Sequence, residues 1–313
     1  MGKIVLVAEA NKERQLATEK ADRIITYGGQ ALIEGVLMRG QRAMAMALRA
    51  PNGEIVVRRE YLSGIYRSPL VRLPFLRGIL LLWDALVLGT QALTFSANLQ
   101  AGEGEKLEGA SLYGTLLFSL VFGIGLFFLL PAAIAAWIGH LAADLSWVTA
   151  MSEGLIRLGL VFGYLWAIGF LPDVRRLFAY HGAEHKTINA YEAGVELTPE
   201  SVARFPLEHP RCGTSFLLTL IVLTVLIFPF LDGFPIWARL LGRILLIPLL
   251  AGIAVEYIRW IANHLDRGWA RWLIRPNLAL QRLTTRQPDG AMLEVAIRAF
   301  EEMRQAEGME GQG

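Results

Sequence analysis

The sequence predicts an α-helical integral membrane protein. It has about four transmembrane helices and one re-entrant or interfacial helix, joined to a small N-terminal antiparallel β-sheet and cytoplasmic helices. Three observations carry this. Of 313 residues, 54% are apolar and only 19% charged, with a mean hydropathy of +0.43, more apolar than a soluble surface of this size allows. Residues 111–141 contain no Asp, Glu, Lys or Arg, where a spanning helix needs roughly 20 apolar residues. Lys and Arg are distributed unevenly between the loops: 13 in residues 1–77, none in 142–149, five in 172–213 and seven in 262–313.

Residues 1–23 form a polar, flexible arm. The opening MGKIVLVAEANKERQ is too short in its apolar run for a secretory leader, and Leu6 breaks the myristoylation pattern after Gly2. Residues 24–73 form the sheet. Ala31–Met38 reads as an apolar strand interrupted by Glu34, with Gln30, Glu34 and Met38 on one face. AMAMALRA and EIVVRREYL flank Pro51-Asn52-Gly53, a hairpin turn.

The first apolar stretch, 74–98, carries Arg77 and Asp84. Residues 74–110 are read as re-entrant or interfacial, because a crossing there would put the most basic segment outside. Residues 111–171 hold the first transmembrane pair, with a kink expected at Pro131. Residues 214–262 hold the second pair, with spans at 214–231 and 244–262. Both termini and the loop 172–213 are then cytoplasmic in a multi-pass inner-membrane protein, and Arg239 and Arg243 are left as a misfit on the outer side. In the C-terminal region, 263–313, Asp289 caps a helix whose apolar positions 292, 295, 296, 299 and 303 form one stripe. The last seven residues read as disordered.

The chemistry concentrates in YHGAEHKTINAYEAGVELTPESVARFPLEHPRCGTS. Three of five histidines and the only cysteine fall within 32 residues, where even scatter gives about half a histidine. A single cysteine excludes an internal disulfide. On a helix ending at Gly194, His181 and His185 lie about 6 Å apart along one face and can chelate a divalent cation. Glu184 sits beside them, and H-x-x-E-H is the inverted zincin pattern, in which the carboxylate takes a proton from water. His209 and Cys212 supply further ligands; all four together make a closed structural site, three leave it open. Imidazole and thiolate favour zinc. Glu192 is too far along the helix for the same ion and belongs behind it. Glu34 calls for a partner, either the metal, Arg39 or another arginine. Glu256 lies near the cytoplasmic end of the last span, where a pair with Arg259 is the plainer account. His264 reads as interfacial, and His140 falls on the opposite side.

GGQALIEGVLMRG (28–40), YHGAEHK (180–186), HPRCGTS (209–215) and LTTRQP (283–288) resemble the YqhQ-like family, domain of unknown function 1385, over roughly residues 24–306. The resemblance implies a bacterial membrane protein and a predicted metal-dependent enzyme without a settled reaction. It implies the same five site residues and adds Gln30, Glu34 and Arg39. The expected function is a metal-dependent hydrolase acting at the cytoplasmic membrane interface on a lipid-linked or peptide substrate. The alternatives are a structural metal site on a partner-docking protein and, with less support, a transporter. Membrane lipids are expected partners, a homo-oligomer is compatible with the reading, and nucleic acid is not expected at a net charge of +2.

Overall fold

The computed structural model describes residues 27–62, 73–101, 108–141, 146–231 and 234–310; the arm at 1–23 lies outside them. The chain is mostly helical, with one four-stranded antiparallel sheet in the order β1-β2-β3-β4: β1 (Gly28–Leu32), β2 (Gly35–Arg39), β3 (Ala43–Arg49) and β4 (Ile55–Tyr61). The β3–β4 hairpin turns where the Pro-Asn-Gly signal predicts, with Gly53 at φ 88°. Residues 31–38 are not one strand. Leu32 pairs with Gly35, so Ile33 and Glu34 form a two-residue turn. Glu34 there adopts φ 55°, a left-handed conformation unusual for a residue with a Cβ. Gln30, Glu34 and Met38 therefore do not share a strand face.

Both faces of the sheet are covered. α1 (Leu76–Gln100) lays Leu88, Ala92, Leu93, Phe95 and Leu99 against Leu32, Leu37, Met44, Met46 and Leu48. The other face packs on α5 (Pro172–Glu192) and α11 (Gly290–Glu310). In α11 the stripe Met292, Val295, Ala296, Ala299 and Met303 is buried, and Asp289 Oδ1 accepts from Met292 N at 2.8 Å, the expected cap. The helix runs on to Glu310 rather than fraying at 307, because the Glu307 carboxylate accepts from Gln41 N and Arg42 N.

The apolar segments form a second group of helices. α2 (Gly109–Ile124), a π-helical turn (Gly125–Leu129) and α3 (Leu130–Leu141) make one continuous rod. Pro131 has no N–H for the Phe127 carbonyl four residues back. The π turn absorbs the mismatch, and Arg157 Nε donates to Phe127 O at 3.0 Å. Arg157 sits on α4 (Ser146–Ile168), paired with Glu153 at 2.5 Å. α7 (Gly213–Ile227) tightens into a 3-10 turn at Phe228–Leu231, and α8 (Ile236–Ala262) follows. Among the described residues, three segments are long and apolar enough to cross a membrane: Gly109–His140, Met151–Ile168 and Trp237–Ala262. Of the four expected spans, the one at 214–231 falls short, an apolar helix of 10–17 residues. α8 begins earlier than expected, which places Arg239 and Arg243 within the helix, where Arg243 reaches Glu153 at 3.4 Å. α9 (Gly268–Leu273) and α10 (Arg275–Thr284) lead back from α8 to α7 and on to α11.

Candidate metal centre

α5 is the helix on which the centre is built. Pro172 opens it, and Gly194 at φ 74° closes it: Gly194 N donates to Tyr191 O and Val195 N to Ala190 O, the paired contacts of a Schellman end. A stripe at i, i+4, i+8 bolts this helix to β1. The Glu34 carboxylate accepts from Arg176 Nε and a terminal guanidinium nitrogen, both at 2.6 Å, and from Tyr180 Oη at 3.2 Å. One strand-length away, Gly29 N donates to the Glu184 carboxylate. A Cβ at position 29 would stand 2.9 Å from Glu184 Cδ, so glycine is what lets the strand approach. Glu34 thus finds its partner in another arginine, Arg176, and the contact holds its carboxyl below the usual range.

The opposite side of α5 holds the loop that precedes α7, whose α6 (Pro199–Val202) carries its own capping box at Thr198 and Ser201. Lys186 Nζ donates to Ala203 O and Phe205 O at 2.8 and 2.5 Å. Asn189 Nδ2 donates to Pro206 O and Glu208 O, and His185 Nδ1 to Leu207 O at 2.5 Å. Five successive or near-successive carbonyls are held by three side chains, and His209 and Cys212 follow. Gln281 on α10, fully buried, fixes His209 from the far side. Its Oε1 accepts from His209 N and its Nε2 donates to His209 O, both at 2.8 Å, and to Ser215 Oγ at 2.9 Å. Next to it the segment after α10 crosses α5 at Gly182, where a Cβ would meet Arg286 O at 2.2 Å.

These supports bring His181, His185 and Cys212 together, one ligand atom of each within 4.8 Å of the others. His181 Nδ1 donates to Thr284 O at 2.8 Å, as His185 Nδ1 does to Leu207 O. A carbonyl only accepts, so both rings carry a proton on Nδ1 and turn Nε2 inward, that of His185 without a hydrogen-bond partner and that of His181 against Cys212. His181 Nε2 lies 3.3 Å from Cys212 Sγ; nitrogen and sulfur bound tetrahedrally to one zinc are roughly 3.5 Å apart. Glu184 Oε2, His185 Nε2 and His209 Nε2 are buried without a hydrogen-bond partner, a cost a native core rarely carries unless something else meets it. The donor set and its orphaned atoms fit a divalent metal of the zinc type.

The electrostatics favour an imidazolium at His181 beside a thiolate at Cys212, so a metal would displace a proton from His181 to bind. Burial opposes charge on His181, but the neighbouring Cys212 and Glu184 push its pKa up to about 9. Burial raises the Cys212 thiol, and His181 and His185 outweigh it, leaving the thiol well below its usual range. Burial raises the Glu184 carboxyl against the pull of both histidines.

The remaining sequence candidates are placed elsewhere. His209 stands apart from the trio: its ring is 5.8 Å from that of His185, and its Nε2 is 3.7 Å from Glu192 Oε2. Glu192 also pairs with Arg211. Gln30 faces Gly89 of α1. Arg39 closes β2 opposite Gly28. Glu256 accepts from Phe75 N at 3.2 Å, at the start of α1, where its charge suits the helix N-terminus. Gln281, Thr284, Gly29 and Lys186 went unnamed in the sequence reading. Gly29, Lys186 and Thr284 fall inside the quoted strings without a role, and Gln281 lies outside them, because a lone Gln or Gly carries no spacing signal.

A family model described as "Protein of unknown function (DUF1385)" matches residues 73–306. The "Uncharacterized protein YqhQ" of Bacillus subtilis (strain 168) is 34% identical over 301 residues, 91% of this chain and 94% of that protein. No solved structure matches.

Proposed function

The chain belongs to the DUF1385 family, of unknown function, and from its site we propose a membrane-embedded, metal-dependent hydrolase acting at the cytoplasmic interface on a lipid-linked or peptide substrate. His181, His185 and Cys212 hold the metal. The observation that carries this reading is the convergence of His181 Nε2, His185 Nε2 and the Cys212 thiol beside a buried carboxylate with one unpartnered oxygen. Three ligands leave a coordination position open, the pattern of catalytic rather than structural zinc sites.

When bound, the ion supplies a Lewis acid that polarises the scissile group and acidifies water. The protein's own groups do the rest. Thr284 O and Leu207 O fix the tautomer and the angle of the two rings. Glu184 Oε2 accepts the proton from the attacking water, and burial, by raising the carboxyl's proton affinity, suits it to that task. Gly29 N–H holds the other carboxylate oxygen and so aims the free one. The cytoplasmic membrane, with the site on the inner side, is the location that the long apolar helices and the Lys/Arg asymmetry support, and both termini share that side when the shorter apolar helix Ser215–Leu231 is the fourth crossing.

Glu184→Gln keeps shape and removes the proton acceptor. In a deletion strain it should fail to complement while retaining metal and melting temperature. Full complementation would overturn the hydrolase and favour a structural metal.

A further inference from the structure

α1 is the one long helix that belongs to both halves of the molecule. Its C-terminal half covers the sheet. Its N-terminal end packs on α8 through two glycines: a Cβ at Gly78 would lie 2.6 Å from Gly252 Cα, and a Cβ at Gly252 would lie 2.8 Å from Phe75 O. Contact this close needs both side chains absent. Gly252 is ten residues before the end of α8 at Ala262, about 15 Å along the helix. If α8 crosses a bilayer whose hydrocarbon is about 30 Å thick, α1 begins near the midplane and climbs back to the sheet. Glu256, accepting from Phe75 N, meets the exposed helix start where water is absent.

The side of α1 turned away from α8 is apolar and uncovered. Leu76, Ile79, Trp83 and Leu86 recur at three- and four-residue steps and are 40, 42, 56 and 67% exposed. Leu245 and Leu249 on α8 are likewise exposed. The stripe stops three residues before Gly89, against which Gln30 is seated. Gln30 adjoins Gly29, whose N–H holds Glu184. The upper end of the apolar stripe therefore meets the strand that also holds Glu184.

We propose that α1 is a re-entrant helix whose Leu76–Leu86 stripe docks one inner-leaflet phospholipid or like amphiphile, chain along the stripe and headgroup at the β1 edge beside Glu184. This rests on the hydrolase reading and narrows its substrate class to a two-part amphiphile drawn from the membrane, in place of a peptide from the cytoplasm.

Photo-crosslinking of the full chain reconstituted in phosphatidylcholine/phosphatidylglycerol nanodiscs tests it. Benzoylphenylalanine replaces, one at a time, Ile79, Trp83 and Leu86 on the stripe, and Gly28 at the β1 edge, where an added side chain meets nothing within 4 Å. Leu245 on α8 is the lipid-facing control and exposed Arg298 on α11 the aqueous one. Mass spectrometry should find phospholipid adducts at 79, 83, 86, 245 and 28, and none at 298. Adducts at 245 without any at 79, 83 or 86 would overturn the docking proposal and leave the membrane reading intact. Adducts on the stripe but not at 28 would also overturn it, since the headgroup would not reach the site. No adduct at 245 would remove the membrane reading itself, and the proposal with it. Metal content of the same variants reports on the centre independently.

Discussion

Glu153 and Glu184 are both carboxylates taken out of water on helices, and their surroundings differ. Glu153, on α4, accepts from Arg157 and lies 3.4 Å from Arg243. Arg157 also satisfies the carbonyl that Pro131 frees and lies over the Phe128 ring, as Arg243 lies over Phe228. That cluster pairs its opposite charges with one another and ties the α2–α3 rod, α4 and α8 together. Glu184, on α5, keeps one oxygen bare, and His185 and His209 each keep a bare nitrogen within the same buried region. The first arrangement answers the cost of burying charge by pairing. The second leaves that cost standing, which is the mark of a site completed from outside the chain.

The comparison breaks most visibly at Glu153. Glu153→Leu strands a buried guanidinium and should destabilise the purified protein by about 3–5 kcal/mol, read by thermal or SDS unfolding. A near-silent Glu153→Leu would mean the arginines reach water and the two clusters are not opposites. Gln281→Leu comes next. It removes three hydrogen bonds from a buried group and leaves the His209 backbone unmatched, a loss of about 1–3 kcal/mol. Zinc affinity should also fall roughly 10-fold as the Cys212 loop loosens, measured by competition with a chromophoric chelator. Glu184→Gln should cost less than about 1 kcal/mol, because the amide oxygen still accepts from Gly29 N. Smallest is Glu34→Gly. It loses a half-exposed ion pair worth about 1 kcal/mol or less and relieves left-handed strain of about 1 kcal/mol. Its melting temperature should hardly move, whereas Glu34→Ala, which loses the pair and keeps the strain, should melt lower.

What the sequence disclosed follows from which signals are local. The β3–β4 hairpin, the α11 stripe with its Asp289 cap, and the His181/Glu184/His185 face each depend on residues within a few turns of one another, and each was legible. The turn at Ile33–Glu34 was not, because Glu is a poor turn former and is held there by Arg176, 142 positions away. α8 was read as starting too late because Arg239 and Arg243 break the apolar run; their place in the helix depends on Glu153, on another helix. The supports of the metal centre are carbonyls of Leu207 and Thr284 and the amide of Gln281, and a backbone carbonyl leaves no trace in composition. His209 was counted beside Cys212 on spacing alone, yet the Gln281 clamp turns it toward Glu192.

Metal content of the purified full chain is the most direct test of the central claim that His181, His185 and Cys212 form a metal centre. Elemental analysis should find about one divalent transition metal per chain, zinc foremost, in the wild type and in Glu184→Gln. The His181→Ala/His185→Ala double variant should retain almost none. A double variant with wild-type metal content would contradict the account.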